Sequence, residues 1–266
     1  MSGRRMAMVT GAGTGIGRAI AVELGRLGWP VAIGARRLDR LEETAAEVRA
    51  VDGEVFAHEL DVCDDGSIKQ FIEAAETALG PIEVLVNNAG VSTPGWLHEI
   101  SADALEREVA TNLLGPVLMS RVAVTSMRAH QTRGDIIFIS SDATKHARPR
   151  MATYAATKAG LETFAQSLGM ELEGTGIRVT TVRVGPTLSE FGFSWPMESI
   201  EDLMTYWPRF GLHRHAGILQ PEDIARAVVV AVTAPGGVHF DTIEVQPEAP
   251  VGDDRPAQIV ERPGSS

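Results

Sequence analysis

Tyr154 and Lys158 stand four residues apart in the run YAATK at 154–158, inside a segment of helical period, so their side chains share one face. That pairing is suited to proton transfer at a carbonyl or alcohol oxygen. A free phenol titrates at a pKa of about 10, and a neighbouring ammonium favours phenolate and draws the group toward working pH. The chain holds two tyrosines and three lysines, and a pair at this spacing would arise by chance in about 2% of sequences so composed. The plainer alternative is a surface Tyr–Lys pair on a solvated helix.

A second cluster suits phosphate. TGAGTGIG at 10–17 follows a short apolar run and opens a segment of helical period. A dinucleotide pyrophosphate needs free backbone N–H groups, close approach without Cβ atoms and the positive end of a helix dipole. Gly11, Gly15 and Gly17, with Thr14 and Ile16 between them, meet those needs. Taken alone, such glycines have a plainer alternative, relief of backbone strain at a tight turn. The next apolar run, VAIGA at 31–35, ends in Arg36 and Arg37. An acidic residue there would accept bonds from both ribose hydroxyls of NAD(H), whereas guanidinium groups match a 2′-phosphate; the expectation is NADP(H) over NAD(H), with Arg36 leading. Pairing of both arginines with Glu42 or Glu43 is the competing explanation.

The TGxxxGxG spacing, NNAG at 87–90 and YAATK together resemble the short-chain dehydrogenase/reductase family. The resemblance implies an NADP(H)-dependent oxidoreductase that moves hydride between nicotinamide and a carbonyl or alcohol. It further implies that Asp61 and Val62 contact the adenine, that Asn88, Ala89 and Gly90 border its ribose, and that Lys158 orients the nicotinamide ribose. Ser141, thirteen residues before Tyr154, matches the family's serine that holds the substrate oxygen. Asn112, in TNLLGP, matches the asparagine that supports a water-linked proton path to the lysine, and completes the set Asn112, Ser141, Tyr154, Lys158. The pattern is not perfect. RVGPTLSEF at 183–191 keeps Gly185 but has Val184 where the family has proline, and Ser189 stands where a threonine would hold the nicotinamide carboxamide. A serine hydroxyl can make the same bond.

These groups need a rigid scaffold, and the chain supplies its pattern. Short apolar runs at 6–10, 31–35, 54–60, 83–88, 135–140, 177–184 and 241–245 alternate with helical segments at 16–27, 38–51, 65–79, 103–129, 153–173 and 221–232. Strands that are apolar almost throughout, each followed by a helix, predict a doubly wound parallel α/β sheet of Rossmann type covered on both faces. One domain over 1–246 is expected, followed by a tail at 247–266 rich in Pro, Gly and charge. With 266 residues, 44% hydrophobic, there is enough chain for a large core. The rhythm breaks once, at 186–217, where Phe191, Phe193, Trp195, Tyr206, Trp207 and Phe210 suggest an apolar lid over the substrate.

A net charge of −11 offers no field for nucleic acid or anionic lipid, and no apolar run is long enough to span a bilayer. The expected partner is a small, apolar or ring-containing carbonyl or alcohol, in a cytoplasmic protein that the resemblance makes a homotetramer or homodimer. Cys63, the single cysteine, is expected to be a buried structural thiol. Lys145, His146, Arg148 and Arg150 are expected to form an exposed, solvated loop, with an acidic substrate or a partner subunit as the alternative. His213 and His215 lack partners at metal-ligand spacing, so no metal is expected. Two rival functions use the same fold: an NADP(H)-binding regulator without catalysis, or an interaction scaffold with a vestigial pocket.

Overall fold

The computed structural model describes residues 4–188, 191, 195, 197–207 and 215–250. Seven parallel strands form one sheet in the order β3-β2-β1-β4-β5-β6-β7. They are β1 (Ala7–Thr10), β2 (Val31–Ala35), β3 (Val55–Glu59), β4 (Val84–Asn87), β5 (Gly134–Ser141), β6 (Ile177–Val184) and β7 (Thr242–Val245). The helices are α1 (Gly15–Arg26), α2 (Leu38–Ala50), α3 (Asp65–Leu79), α4 (Ala102–Val109), α5 (Gly115–Ala129), α6 (Ala152–Glu171), α7 (Met197–Tyr206) and α8 (Pro221–Val232).

Alternation along the strands divides the core between two layers. Ala7 and Val9 of β1, Val84 and Val86 of β4, and Ile137 and Ile139 of β5 pack with α1, α2 and α8. Their neighbours Met8, Leu85, Ile136 and Phe138 pack with α3, α5 and α6. The central strands are therefore buried on both sides, which is why they read as unbroken apolar runs. Strand order reverses between β1 and β4, and the loops leaving those two strands open a crevice at their carboxyl ends.

Three expectations are corrected. The segment 103–129 is not one helix: residues Ala110–Leu114 form a π-turn between α4 and α5, and Asn112 lies inside it. Hydrophobic periodicity cannot register this, because one added residue per turn rotates the pattern without breaking it. Cys63 is exposed rather than buried, since Val62 takes the inward position at the end of β3 and the thiol is left near Thr111 Oγ1, at 3.5 Å. The basic loop is solvated only in its first half. Arg148, with a side chain 10% exposed, pairs with Asp142 at 2.7 Å and lies over Trp207, and Arg150 lies 4.3 Å over Trp96, because aromatic faces and a carboxylate offset the loss of water. Among the described residues no helix is long and apolar enough to cross a membrane.

Candidate functional site

The glycine loop joins β1 to α1 and is locked from β4. Asn88 Nδ2 donates to the carbonyls of Thr10 (3.0 Å) and Gly11 (3.1 Å), while Thr10 Oγ1 accepts from the N–H groups of Asn88 and Ala89. Gly11 adopts φ 65°, and a Cβ on Gly17 would fall 2.4 Å from the Gly11 carbonyl oxygen, so both positions require glycine. Thr14 is the N-cap of α1 but makes no side-chain cap, and the first turn carries no acid. The helix therefore presents uncapped N–H groups and its positive end, with Gly15, Ile16 and Gly17 at the opening. These residues fit a dinucleotide pyrophosphate.

Arg36 is exposed at the end of β2, and its suggested rivals for partnership are engaged elsewhere: Glu43 with Arg18 and Arg40, Glu42 with Arg49. Arg37 is the N-cap residue of α2. Asp61 Oδ1 accepts from the N–H of Cys63 at 2.9 Å, closing the turn after β3, with Val62 packed inward. Gly185 follows β6 and bonds Val245 through its N–H, and a Cβ there would collide with Gln246. Ser189 lies outside the described residues, as do Phe193, Phe210 and His213.

β5 and α6 carry the candidate reactive groups. Ser141 ends β5 with its side chain at Tyr154, where it favours the phenolate, and its hydroxyl accepts from the Ala143 N–H at 3.2 Å. Ser140 faces the other way, donating to Glu162 at 2.6 Å, as the alternation of an extended chain requires. Tyr154 and Lys158 sit one turn apart on α6, and both are buried. Lys158 Nζ donates to the Ile139 carbonyl at 2.8 Å and lies 5.9 Å from the Tyr154 ring centre.

The expected acid phenol does not appear in the protein alone. Burial pushes Tyr154 up to about 12, outweighing the Ser141 hydrogen bond and the nearby Arg148 cation. Burial likewise takes Lys158 down to about 8, against the attraction of Glu162. Desolvation of both charged forms dominates, and the amine turned toward a carbonyl gives the phenol little help.

Asn112 is fully buried and clamps the strap after β4. Its Oδ1 accepts from the Val91 N–H and its Nδ2 donates to the Val91 carbonyl, both at 2.8 Å, with Thr157 Oγ1 as a further acceptor at 3.3 Å. Glu108, one turn earlier, accepts from the Thr93 N–H at 3.3 Å and is 1% exposed. Sequence reasoning missed Glu108, although its i, i+4 spacing from Asn112 placed it on the inward face.

A cavity of about 180 Å³ opens beside Tyr154, lined by Trp96, Leu97, Ile100, Pro149 and Met151 among others. Phe191 packs 5.4 Å from the Tyr154 ring, and Trp195 packs on Phe191 while donating to the Ser92 carbonyl. Trp207 donates to the Pro149 carbonyl, and Tyr206 stacks edgewise on Trp96. Aromatic residues of the 186–217 segment thus cover the phenol on one side.

Residues 5–196 match the family described as short chain dehydrogenase. The chain is 35% identical over 244 residues to a glycine betaine reductase of Emericella nidulans, covering 91% of this chain but 19% of that much longer protein. It is 32% identical to a 2,3-dihydro-2,3-dihydroxybenzoate dehydrogenase of Bacillus subtilis over 88% of this chain and 90% of the relative. Among solved structures, an alcohol dehydrogenase from Thermococcus sibiricus complexed with 5-hydroxy-NADP superposes with a TM-score of 0.78 at 29% identity, covering 91% of this chain and 96% of that one.

Proposed function

The chain belongs to the short-chain dehydrogenase family, oxidoreductases that act on CH–OH and C=O groups with a nicotinamide cofactor, and from that premise we propose an NADP(H)-dependent carbonyl reductase or alcohol dehydrogenase with Tyr154 as its acid/base. The observation that carries this reading is the buried Tyr154, beside Ser141 and one turn from Lys158, at the wall of an apolar cavity.

Gly11, Thr14, Gly15, Ile16 and Gly17 would hold the pyrophosphate, Arg36 and Arg37 the 2′-phosphate, and Asp61, Val62, Asn88, Ala89 and Gly90 the adenosine. Gly185 would border the nicotinamide end, and Ser189 is assigned to its carboxamide on the sequence pattern alone. When bound, the nicotinamide supplies or takes the hydride. Ser141 positions the substrate oxygen, and Tyr154 gives that oxygen its proton during reduction or removes it during oxidation. Lys158 orients the ribose and, once turned from Ile139 toward the phenol, lowers its pKa from the value burial imposes. Asn112 fixes the wall that closes this space.

NADP(H) is favoured by the exposed guanidinium of Arg36, and the Thermococcus sibiricus relative carries an NADP derivative. The aromatic cover and apolar cavity favour a ring-containing or otherwise apolar carbonyl or alcohol. The free exposed thiol of Cys63 suits a reducing cytoplasm. Val109 and Leu114, apolar and 42% and 49% exposed beside the π-turn, suit the subunit interface of a homodimer or homotetramer.

Tyr154→Phe keeps the ring packing and removes the proton. Turnover on a panel of ketones, aldehydes and alcohols, followed by nicotinamide absorbance, is expected to fall by roughly a thousandfold or more. The variant should retain its fold and its NADP(H) affinity. Full activity in Tyr154→Phe would overturn the assignment. Wild type that binds neither nicotinamide would favour the interaction scaffold.

A further inference from the structure

We propose that Glu162 and Arg183 form a positioning pair that fixes the Ser141 hydroxyl against Tyr154, acting from behind the end of β5 rather than from the crevice. This inference rests on Ser141 and Tyr154 being the groups that hold and protonate the substrate oxygen. Tyr154, Lys158 and Glu162 follow one another at intervals of four along α6, so they lie along one stripe of the helix. Each meets the end of β5 at a different residue. Tyr154 has Ser141 beside it, Lys158 Nζ donates to the Ile139 carbonyl at 2.8 Å, and Glu162 Oε1 accepts from the Ser140 hydroxyl at 2.6 Å. The first two belong to the proposed reaction, whereas Glu162 holds only the scaffold beside it.

Glu162 grips Ser141 from two directions. Side chains alternate along extended backbone, and Ser141 is still extended at φ −143° and ψ 150°, so drawing Ser140 toward α6 turns Ser141 toward the crevice. From the other direction, the Ser141 hydroxyl accepts from the Ala143 N–H at 3.2 Å, inside the short turn Asp142–Thr144. Thr144 ties that turn down: its Oγ1 lies 2.9 Å from the Ser141 carbonyl and 3.1 Å from Glu162 Oε1, and its one proton is shared between them. Arg183 holds the carboxylate in place. It is the direct neighbour of Ser140 across the β5–β6 ladder, and its guanidinium forks onto Glu162, Nε to Oε1 at 3.0 Å and Nη2 to Oε2 at 2.7 Å. Its Nε also lies 3.2 Å from Thr144 Oγ1, and its Nη1 donates to Glu244 of β7 at 3.0 Å, where Lys145 balances the second carboxylate.

Stability alone is a poor reason for such a pair. Both side chains are 13% exposed, and taking two charges out of water costs about as much as their attraction returns, so apolar side chains of similar volume often serve as well or better. An apolar pair could not direct two hydroxyls. It would leave Ser140 and Thr144 free to rotate and the turn after β5 free to shift, and misplacing a reacting group by about 1 Å costs on the order of a hundredfold in rate.

The first test needs no substrate. Glu162→Gln replaces one carboxylate oxygen by a donor that cannot accept from Arg183, and Ser140→Ala removes a single oxygen while leaving the ion pair whole. In crystal structures beside wild type, the Ser141 hydroxyl is expected to move from Tyr154 by about 1 Å or to spread over several rotamers. An unmoved Ser141 in Glu162→Gln overturns the proposal; if that variant fails to fold, Ser140→Ala decides by the same comparison. The second test is kinetic, with NADPH and the carbonyl compound that wild type turns over fastest. The kcat of Glu162→Gln is expected to fall by roughly tenfold or more, with the KM for NADPH and the melting temperature close to wild type. A merely structural role would lower the melting temperature and spare kcat. Arg183→Lys keeps the cation without the fork and should recover part of the rate that Arg183→Met loses. In a Ser141→Ala background Glu162→Gln should have little further effect, because its action passes through the missing hydroxyl, and full additivity overturns the proposal. Wild-type kcat in Glu162→Gln with an inactive Tyr154→Phe would reject this inference alone, whereas an active Tyr154→Phe would reject the reading beneath it.

Discussion

Arg36 is the proposed discriminator between two cofactors that differ by one phosphate. Its guanidinium stands exposed at the end of β2, and the neighbouring glutamates that might have claimed it pair with Arg18, Arg40 and Arg49. A charge-assisted bond to phosphate contributes about 1.5–3 kcal/mol, or roughly ten- to a hundredfold in affinity. Arg36→Asp removes that bond and adds a repulsion, while giving an acceptor for the free ribose hydroxyls of NAD(H). The ratio of kcat/KM for NADP(H) over NAD(H) is therefore expected to drop by about a hundredfold or more. A wild type that prefers NAD(H), or a variant with an unchanged ratio, would contradict the role of Arg36. At this scale the sequence disclosed the residue types but not their state. Tyr154 and Lys158 were visible as a pair, yet the direction of their pKa shifts depends on burial and on where Nζ points, and spacing carries neither.

The same limit separates elements that were legible from those that were not. VAIGA and IRVTTVRV became β2 and β6 with the bounds their runs suggested: β2 is buried and apolar, while β6 is marked by its β-branched residues, with Arg178 and Arg183 half-buried and ion-paired to Asp135 and Glu162. The π-turn at Ala110–Leu114 was invisible, since its cause is a tertiary one: Asn112 must reach both polar groups of Val91, and Glu108 the N–H of Thr93. The glycine loop lies between these extremes. Its position was readable, but which glycine tolerates no side chain follows from the lock by Asn88. Gly17→Ala places a methyl 2.4 Å from the Gly11 carbonyl oxygen and 2.5 Å from Asn88 Nδ2, so the loop has to move away from α1. Because the core layers lie below this loop, the fold should survive, and calorimetric titration should show NADP(H) affinity reduced by roughly tenfold or more. Unaltered affinity would mean that the pyrophosphate does not rest on this turn.

Across the whole molecule, the proposed cofactor contacts come from both halves of the sheet: Gly11, Arg36 and Asp61 follow β1, β2 and β3, whereas Asn88 and Gly185 follow β4 and β6. A dinucleotide seated there ties together two halves that otherwise meet through the β1–β4 ladder and the helix layers. Binding to the folded state alone stabilises it by RT ln(1 + [L]/Kd), about 2.7 kcal/mol at a concentration of 100 Kd. For a chain of this size that corresponds to an upward shift in Tm of roughly 5–10 °C. NADH at the same concentration, if it binds about a hundredfold more weakly for want of the 2′-phosphate, would add only about 0.4 kcal/mol and roughly 1 °C. The net charge of −11 works against any anion at long range, so the attraction must be local to the α1 amides and Arg36, and added salt should change the difference between the two cofactors more than it changes the smaller shift. Thermal unfolding followed by fluorescence with NADPH and NADH in parallel checks this directly. Equal shifts would leave the dinucleotide crevice in place and remove the preference for phosphate, while no shift with either would mean that the crevice is vestigial and that the chain's role lies at its surface.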